Sequence, residues 1–296
     1  MNPLQTIVDI EQPQLKLSHN RPILLIGSCF TEHIGNNLAN CGFNVMINPF
    51  GILYNPFSIA DCLDRCIHNQ YITANDLILH NEIWHSWYHH SCFSNSDQEQ
   101  CLLQCNQSIT DTHSFLQQNP IIILTLGTAW VYRYHEKIVA NCHKIPNTLF
   151  TKELTSINNI VDRFQSLSLN DVILTISPIR HWADTPHGNQ LSKSTLMLAS
   201  NQLPYSYFPA YEIMMDELRD YRFYDQDMLH PSPLAINIIW ERFSNAYFNK
   251  DTQIIAEKFS QLHKMKAHRP LFPQSDAYQK HLARINQLET ELKQYI

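Results

Sequence analysis

Two short segments carry the residue types of covalent acyl chemistry. Gly27-Ser28-Cys29 follows the apolar run Pro22-Ile23-Leu24-Leu25-Ile26 and sets a hydroxyl beside a thiol, while Asp227-Met228-Leu229-His230 spaces a carboxylate and an imidazole three residues apart. A carboxylate bonded to one ring nitrogen fixes the tautomer in which the other can take a proton from a nucleophile. Together the segments read as a nucleophile, a base and the base's orienter. Each half also has a plainer reading. A free cysteine is usually a small buried hydrophobe, and an Asp-x-x-His loop is commonly one in which the Asp caps local N–H groups.

The elements that must position these residues alternate along the chain. Pro22 to Ile26 reads as a buried strand ending at Gly27, Thr31 to Asn40 as an amphipathic helix and Phe43 to Ile47 as the next strand. Asn55-Pro56 supplies an N-cap and a first-turn proline for a helix. Tyr71 to Cys92 reads as an inserted hairpin or irregular aromatic segment, and Gln98 to Gln118 as a polar helix. Ile121 to Gly127 is the strongest strand signal. Trp130 to Cys142 reads as two further strands, Lys152 to Leu167 as a helix and Asp171 to Pro178 as a buried strand. A helix over Gln190 to Asn201, a short strand at Tyr207 to Ile213 and a helix over Pro233 to Phe248 complete the pattern.

Apolar strands alternating with helices predict a parallel sheet covered on both faces. In such a sheet ligands bind beyond the carboxyl ends of the strands. The loops at Gly27-Ser28-Cys29, Asn48-Pro49-Phe50-Gly51, Gly127-Thr128-Ala129-Trp130 and Ser177-Pro178-Ile179-Arg180-His181 should then share one rim. A helix N-terminus at Cys29 favours a thiolate and places N–H groups near a developing oxyanion. Arg180 and His181 suit an anionic part of a substrate, and Trp130, Trp84 and Trp87 suit an apolar wall.

With 296 residues and 44% hydrophobic content, the chain can bury a full core. A net charge of −6 and the absence of a basic run argue against nucleic acid as partner. Neither a leader nor a membrane span is expected, and the eight cysteines read as free thiols in a reducing, cytoplasmic setting. Among His85, His89 and His90, His85 and His89 would share a face of a helix, but no Glu stands beside the first His and the pairs Cys62/Cys66 and Cys101/Cys105 lack Cys-x-x-Cys spacing, so no metal and no cofactor is expected. Residues 251–296 read as terminal helices packed on a domain of residues 1–250. Leu282, Ile285, Leu288 and Leu292 form a helical stripe whose alternative use is a homodimer contact.

The ordered blocks resemble the SGNH/GDSL hydrolase superfamily. Within it, Gly27-Ser28-Cys29-Phe30, Asn48-Pro49-Phe50-Gly51, Thr125 to Trp130, Asn141-Cys142-His143-Lys144, Ser177 to His181 and Asp227 to Ser232 resemble the GSCFA-domain family over about residues 20 to 250. The resemblance implies a flavodoxin-like three-layer α/β/α fold, with the C-terminal helices outside it. It implies hydrolysis or transfer of an acyl group held as an ester or thioester, on a small molecule or glycan. Laid on that pattern, Cys29 takes the nucleophile position, Asp227 and His230 complete a triad, and the Cys29 and Gly51 N–H groups receive the oxyanion.

Two positions depart from the pattern. The nucleophile position holds Cys, with Ser28 next to it as the alternative, and Ala129 stands where a third-block Asn normally donates to the oxyanion. Thr128, Asn141 and Asn55 are the candidate replacements. Losing one such donor typically lowers the rate ~10²–10³-fold, so a binding protein that keeps the cleft is the second reading.

Overall fold

The computed structural model describes residues 6–295. Its strands, in chain order, are Ile23–Gly27 (β1), Val45–Ile47 (β2), Leu77–His80 (β3), Ile83–Ser86 (β4), Ile121–Leu126 (β5), Trp130–Tyr134 (β6), Lys137–Val139 (β7), Phe150–Leu154 (β8), Val172–Ile176 (β9) and Ser206–Phe208 (β10). The longer helices are Cys29–Asn40 (α1), Pro56–His68 (α2), Gln98–Leu116 (α3), Ile157–Gln165 (α4) and Thr185–Ser200 (α5). The short Ala210–Glu212 (α6) runs into a π-helical turn. Pro233–Tyr247 (α7), Lys250–Ala267 (α8) and Asp276–Leu292 (α9) follow.

Five strands form a parallel sheet in the order β10-β9-β5-β1-β2, the arrangement of a doubly wound flavodoxin-like fold. Its strands divide their side chains between two cores. Leu24, Ile26, Ile122, Leu124, Leu126, Leu174 and Ile176 pack with α2, α3, α4 and α5. Ile23, Leu25, Ile121, Ile123 and Ile173 pack with α1 and α7. This is the three-layer α/β/α sandwich expected from the continuous apolar runs. Each fully buried Leu or Ile contributes about 1.5–3 kcal/mol through removal from water.

Gly27 is where this packing forbids a side chain. Its φ is +153°, and a Cβ there would lie 2.2 Å from the Thr125 carbonyl oxygen on the neighbouring strand. Gly27 N–H donates to Asn48 Oδ1 at 2.9 Å, so the loop after β2 props the turn after β1. The turn that presents Cys29 is thus fixed from two sides.

Some boundaries differ from the sequence expectation. The segment from Lys152 was expected to be helical, but Phe150–Leu154 pairs antiparallel with β6, and the helix begins only at Ile157, capped by Ser156. The 130–142 hairpin is therefore two-thirds of a three-stranded sheet. The helix expected from Gln190 starts at Thr185, with Pro186 in its first turn. Tyr71 to Cys92 does contain a hairpin, β3 with β4.

At the C-terminus, Ile285 and Leu292 are buried and Leu282 and Leu288 partly so, packed with Phe259 and Leu262 of α8. The stripe is thus used within the chain. No helix among the described residues is long and apolar enough to cross a membrane.

Candidate active site

The thiol and the imidazole meet although 201 positions separate them: Cys29 Sγ lies 3.9 Å from His230 Nε2. Cys29 is the first residue of α1, at the end of β1, and the backbone N–H groups of Cys29 and Phe30 face its sulfur. Burial nevertheless pushes the Cys29 thiol above its ordinary value, outweighing those N–H groups; Glu32 acts in the same upward direction, and Lys193 pulls downward. The expectation of a thiolate favoured by the helix terminus is therefore corrected. Desolvation wins over the helix end, and the thiol needs a base.

That base is placed by one carboxylate. Asp227 Oδ1 accepts from the N–H groups of Leu229 and His230, each at 2.9 Å, and Oδ2 lies 2.5 Å from His230 Nδ1. Met228 between them has a φ of 60°, and Asp225 N–H bonds the His230 carbonyl, closing a tight turn. The N–H groups of His230 and Leu229, then the ring, hold the Asp227 carboxyl down at about 2. As a carboxylate it can only accept, so Nδ1 carries the hydrogen and Nε2 faces the sulfur as acceptor. Ser232 then caps α7 through Ala235 N–H.

Ser28 differs sharply from its neighbour. It is 1% exposed, its hydroxyl has no hydrogen-bond partner among the described residues, and it makes no side-chain cap on α1. His230 is paired with the thiol instead.

A cavity of about 490 Å³ opens over the pair. Of the expected site residues, Ser28, Cys29, Asn55, Thr128, Trp130, Arg180, His181 and His230 line it, with Asp227 bonded to the ring of His230. Tyr54, Asn141, Ser177 and Asp184 also contribute to its wall. Three of the four strand-end loops predicted to share a rim line it; the loop with Gly51 does not, and Trp84 and Trp87, expected in the apolar wall, pack elsewhere. Gly51 is not in the wall: its N–H donates to the Asn48 carbonyl at 2.7 Å, and a Cβ there would meet His90 and Cys92. The expected Gly51 oxyanion donor is therefore corrected, because a tight turn consumes its hydrogen.

The candidate replacement donors are also separated. Asn55 caps α2, accepting from Ser58 N–H and donating to Ser58 Oγ, both at 2.9 Å. Thr128 Oγ1 accepts from Trp130 N–H at 3.1 Å and pairs with Ser192 Oγ at 3.0 Å. Asn141 uses only its Oδ1, toward His143 N–H, leaving its amide hydrogens for a ligand. His181 is pushed down to about 4 by burial, so it is neutral, and its Nε2 has no partner among the described residues.

The GSCFA family profile matches residues 22–243, about three-quarters of the 296 residues and the whole region that builds this rim. The chain belongs to the GSCFA family. No curated protein and no solved structure matches it. Every lining residue of the GSCFA cavity falls within the matched span.

Some residues of this GSCFA site escaped the sequence reading. Lys152 and Asp184 pair beside the cavity, with Lys152 Nζ 5.0 Å from the Trp130 ring centre, but β8 had been assigned to a helix. Lys193 is fully buried in α5, where Nζ donates to the carbonyls of Gly127 at 2.7 Å and Ser177 at 2.9 Å. Its signal was its spacing: Asn189, Ser192, Lys193 and Leu196 share one helical face, and that face is buried. The histidines set aside as metal ligands are bonded within the protein. His85 pairs with Ser94, His89 with Ser86 and Ser108, and His90 Nδ1 accepts from Cys92 N–H.

Proposed function

We propose that this protein is an SGNH-type hydrolase or acyltransferase acting on an ester or thioester through Cys29, His230 and Asp227. The observation that carries the reading is the Sγ to Nε2 separation of 3.9 Å, with Nδ1 of the same ring on the Asp227 carboxylate. His230 Nε2 takes the Cys29 proton as the sulfur bonds to the acyl carbonyl carbon. In this reading the Cys29 N–H receives the developing oxyanion, and the amide of Asn141, which lines the same cavity, is the candidate second donor. Collapse breaks the bond to the leaving oxygen or sulfur, to which His230 returns the proton, leaving an acyl-cysteine. Water or an acceptor hydroxyl, deprotonated by the same ring, then takes the acyl group. Transfer to a small molecule or glycan is the variant of this chemistry in which water is kept out.

Arg180 forms no ion pair with an acidic side chain among the described residues, and its Nε is buried without a partner. It suits a negatively charged part of the substrate, with Trp130 flanking an apolar part. The eight cysteines are free, which fits a reducing compartment such as the cytoplasm. The occupied Gly51 N–H favours one other reading, a cleft that binds acyl ligands without turning them over.

Hydrolysis of short p-nitrophenyl esters and of thioesters by wild type, Cys29→Ala and Ser28→Ala tests the proposal. Activity lost in Cys29→Ala and retained in Ser28→Ala is expected. The reverse pattern would overturn the nucleophile assignment, and wild-type binding without turnover would establish the second reading.

A further inference from the structure

Lys193 is a charged side chain in a place where charge is costly. It is fully buried, it has no carboxylate within ion-pairing distance among the described residues, and its Nζ reaches two backbone carbonyls. Those carbonyls are not arbitrary. Gly127 follows β5 and Ser177 follows β9, so the lysine ties together two strand ends at the Cys29 cavity, which Ser177 and Thr128, the residue after Gly127, line. The Tyr211 ring centre lies 5.2 Å from Nζ on the side of α6.

An uncompensated buried ammonium is among the least favourable groups a core can hold, so a neutral hydrophobe would stabilise this position better. A clamp between two carbonyls needs only two N–H donors, which the neutral amine also supplies. The carbonyls therefore explain where Nζ sits, but not why a group able to carry charge is used.

Charge has a use one element away. His230 from the Asp227 loop contacts Cys29, and among the groups close enough for their charge to act on it are Glu32 on its own helix, Lys193 from α5 and Tyr54 from the loop after β2; Glu32 and His230 act likewise on His33. Among those facing Lys193 are Cys29, Asp184 and His181, besides Tyr211. Glu32 and burial both oppose a negative sulfur, and Lys193 favours it. Reciprocally, a negative Cys29 and Asp184 favour the charged lysine, while burial pushes it down to about 7.

We propose that Lys193 is a positioning residue that clamps the β5 and β9 ends beneath Cys29 and acts as the buried counter-charge of the Cys29 thiolate, so that each charge favours the other. The Cys29 proton goes to His230 Nε2; Lys193 keeps its own protons and stabilises the separated charges. This rests on Cys29 being the reactive thiol. It adds a residue that the triad alone does not require.

The experiment is the rate of Cys29 alkylation by iodoacetamide against pH, followed by mass spectrometry of its peptide, in wild type, Lys193→Met and Lys193→Arg. Thermal melts confirm that each is folded. In Lys193→Met the midpoint should rise by about one pH unit, equivalent to ~10-fold slower labelling near neutrality, and Lys193→Arg should recover part of it. A folded Lys193→Met with the wild-type profile would overturn the proposal.

If Lys193→Met does not fold, lysine ¹³Cε NMR gives the reciprocal measurement. The Lys193 midpoint should fall in Cys29→Ser, which cannot form a thiolate, and an unchanged midpoint would overturn the proposal. Neither measurement uses an acyl substrate. Coupling without turnover would sink the hydrolase reading alone, and turnover through Cys29 without coupling would sink the role of Lys193 alone.

Discussion

The two loops that meet at the cavity are built by opposite means. Cys29 stands on β1, whose residues are buried along their whole length, and on a Gly27 turn pressed against Thr125 and bonded to Asn48. His230 and Asp227 lie on an exposed loop, with side chains 48% and 47% accessible; backbone bonds close the turn, but the ring itself is held by one carboxylate, which also takes two N–H groups of the loop. The thiol is positioned by the sheet and the base by a single side chain. A site of this kind should tolerate little change under the thiol without unfolding, and little change at Asp227 without losing the base.

The largest effect should come from the sheet side. Cys29→Ala removes the nucleophile without touching the packed strand, so esterase or thioesterase kcat/KM should fall at least ~10⁴-fold while the melting temperature stays close to wild type. A fall of less than tenfold would place the chemistry elsewhere. Next is the loop side: in Asp227→Asn, Oδ1 can still accept the two N–H groups, but Nδ2 cannot accept from His230 Nδ1. The ring is driven to the wrong tautomer, and kcat should drop ~10³–10⁴-fold with little change in KM. Equal activity in this variant would show that the loop needs only its backbone bonds.

A smaller effect is expected at the cavity wall. With Gly51 N–H engaged by Asn48, Asn141 is the side chain left with a free amide, and Asn141→Ala should lower kcat ~10²-fold. Gly51→Ala would instead act on folding, since its φ is +73° and a Cβ would sit 2.4 Å from that of His90. Steady-state kinetics and melts on the two variants separate these outcomes.

The smallest effect is on stability and concerns Lys193, lowered by burial from 10.5 to about 7. Between those values the unfolded chain binds the proton that the folded chain has lost, so this group makes stability rise as pH increases from 7 toward 10.5. Lys193→Met should flatten that rise by up to about 1.4 kcal/mol per pH unit, read from urea midpoints. Cys29 acts with the opposite sign, because its raised value keeps the folded chain protonated for longer. An identical pH dependence in wild type and variant would mean that Lys193 is not desolvated.

The same contrast explains what was legible in the sequence. Ile23–Gly27, Ile121–Leu126 and Val172–Ile176 announce themselves as unbroken apolar runs because a parallel strand buried on both faces permits little else. That they form one parallel sheet with loops meeting at a shared rim followed from that pattern, whereas their order in it did not. Phe150–Leu154 gave no such signal: as an antiparallel strand with three exposed residues in its middle, its Thr-Lys-Glu core reads as well for a helix. Gly51 was misplaced because a glycine in the expected block says nothing of where its N–H points. Lys193 was hidden because a lysine on a helix ordinarily faces water, and only the buried character of its neighbours distinguishes it.

The central claim is that Cys29, and not Ser28, carries the acyl group. Wild-type protein quenched during turnover of a p-nitrophenyl ester and digested should yield one acylated peptide, with the added mass on Cys29 and released by hydroxylamine. The same peptide from Cys29→Ala should be unmodified. Acylation of Ser28, in either protein, would contradict the account.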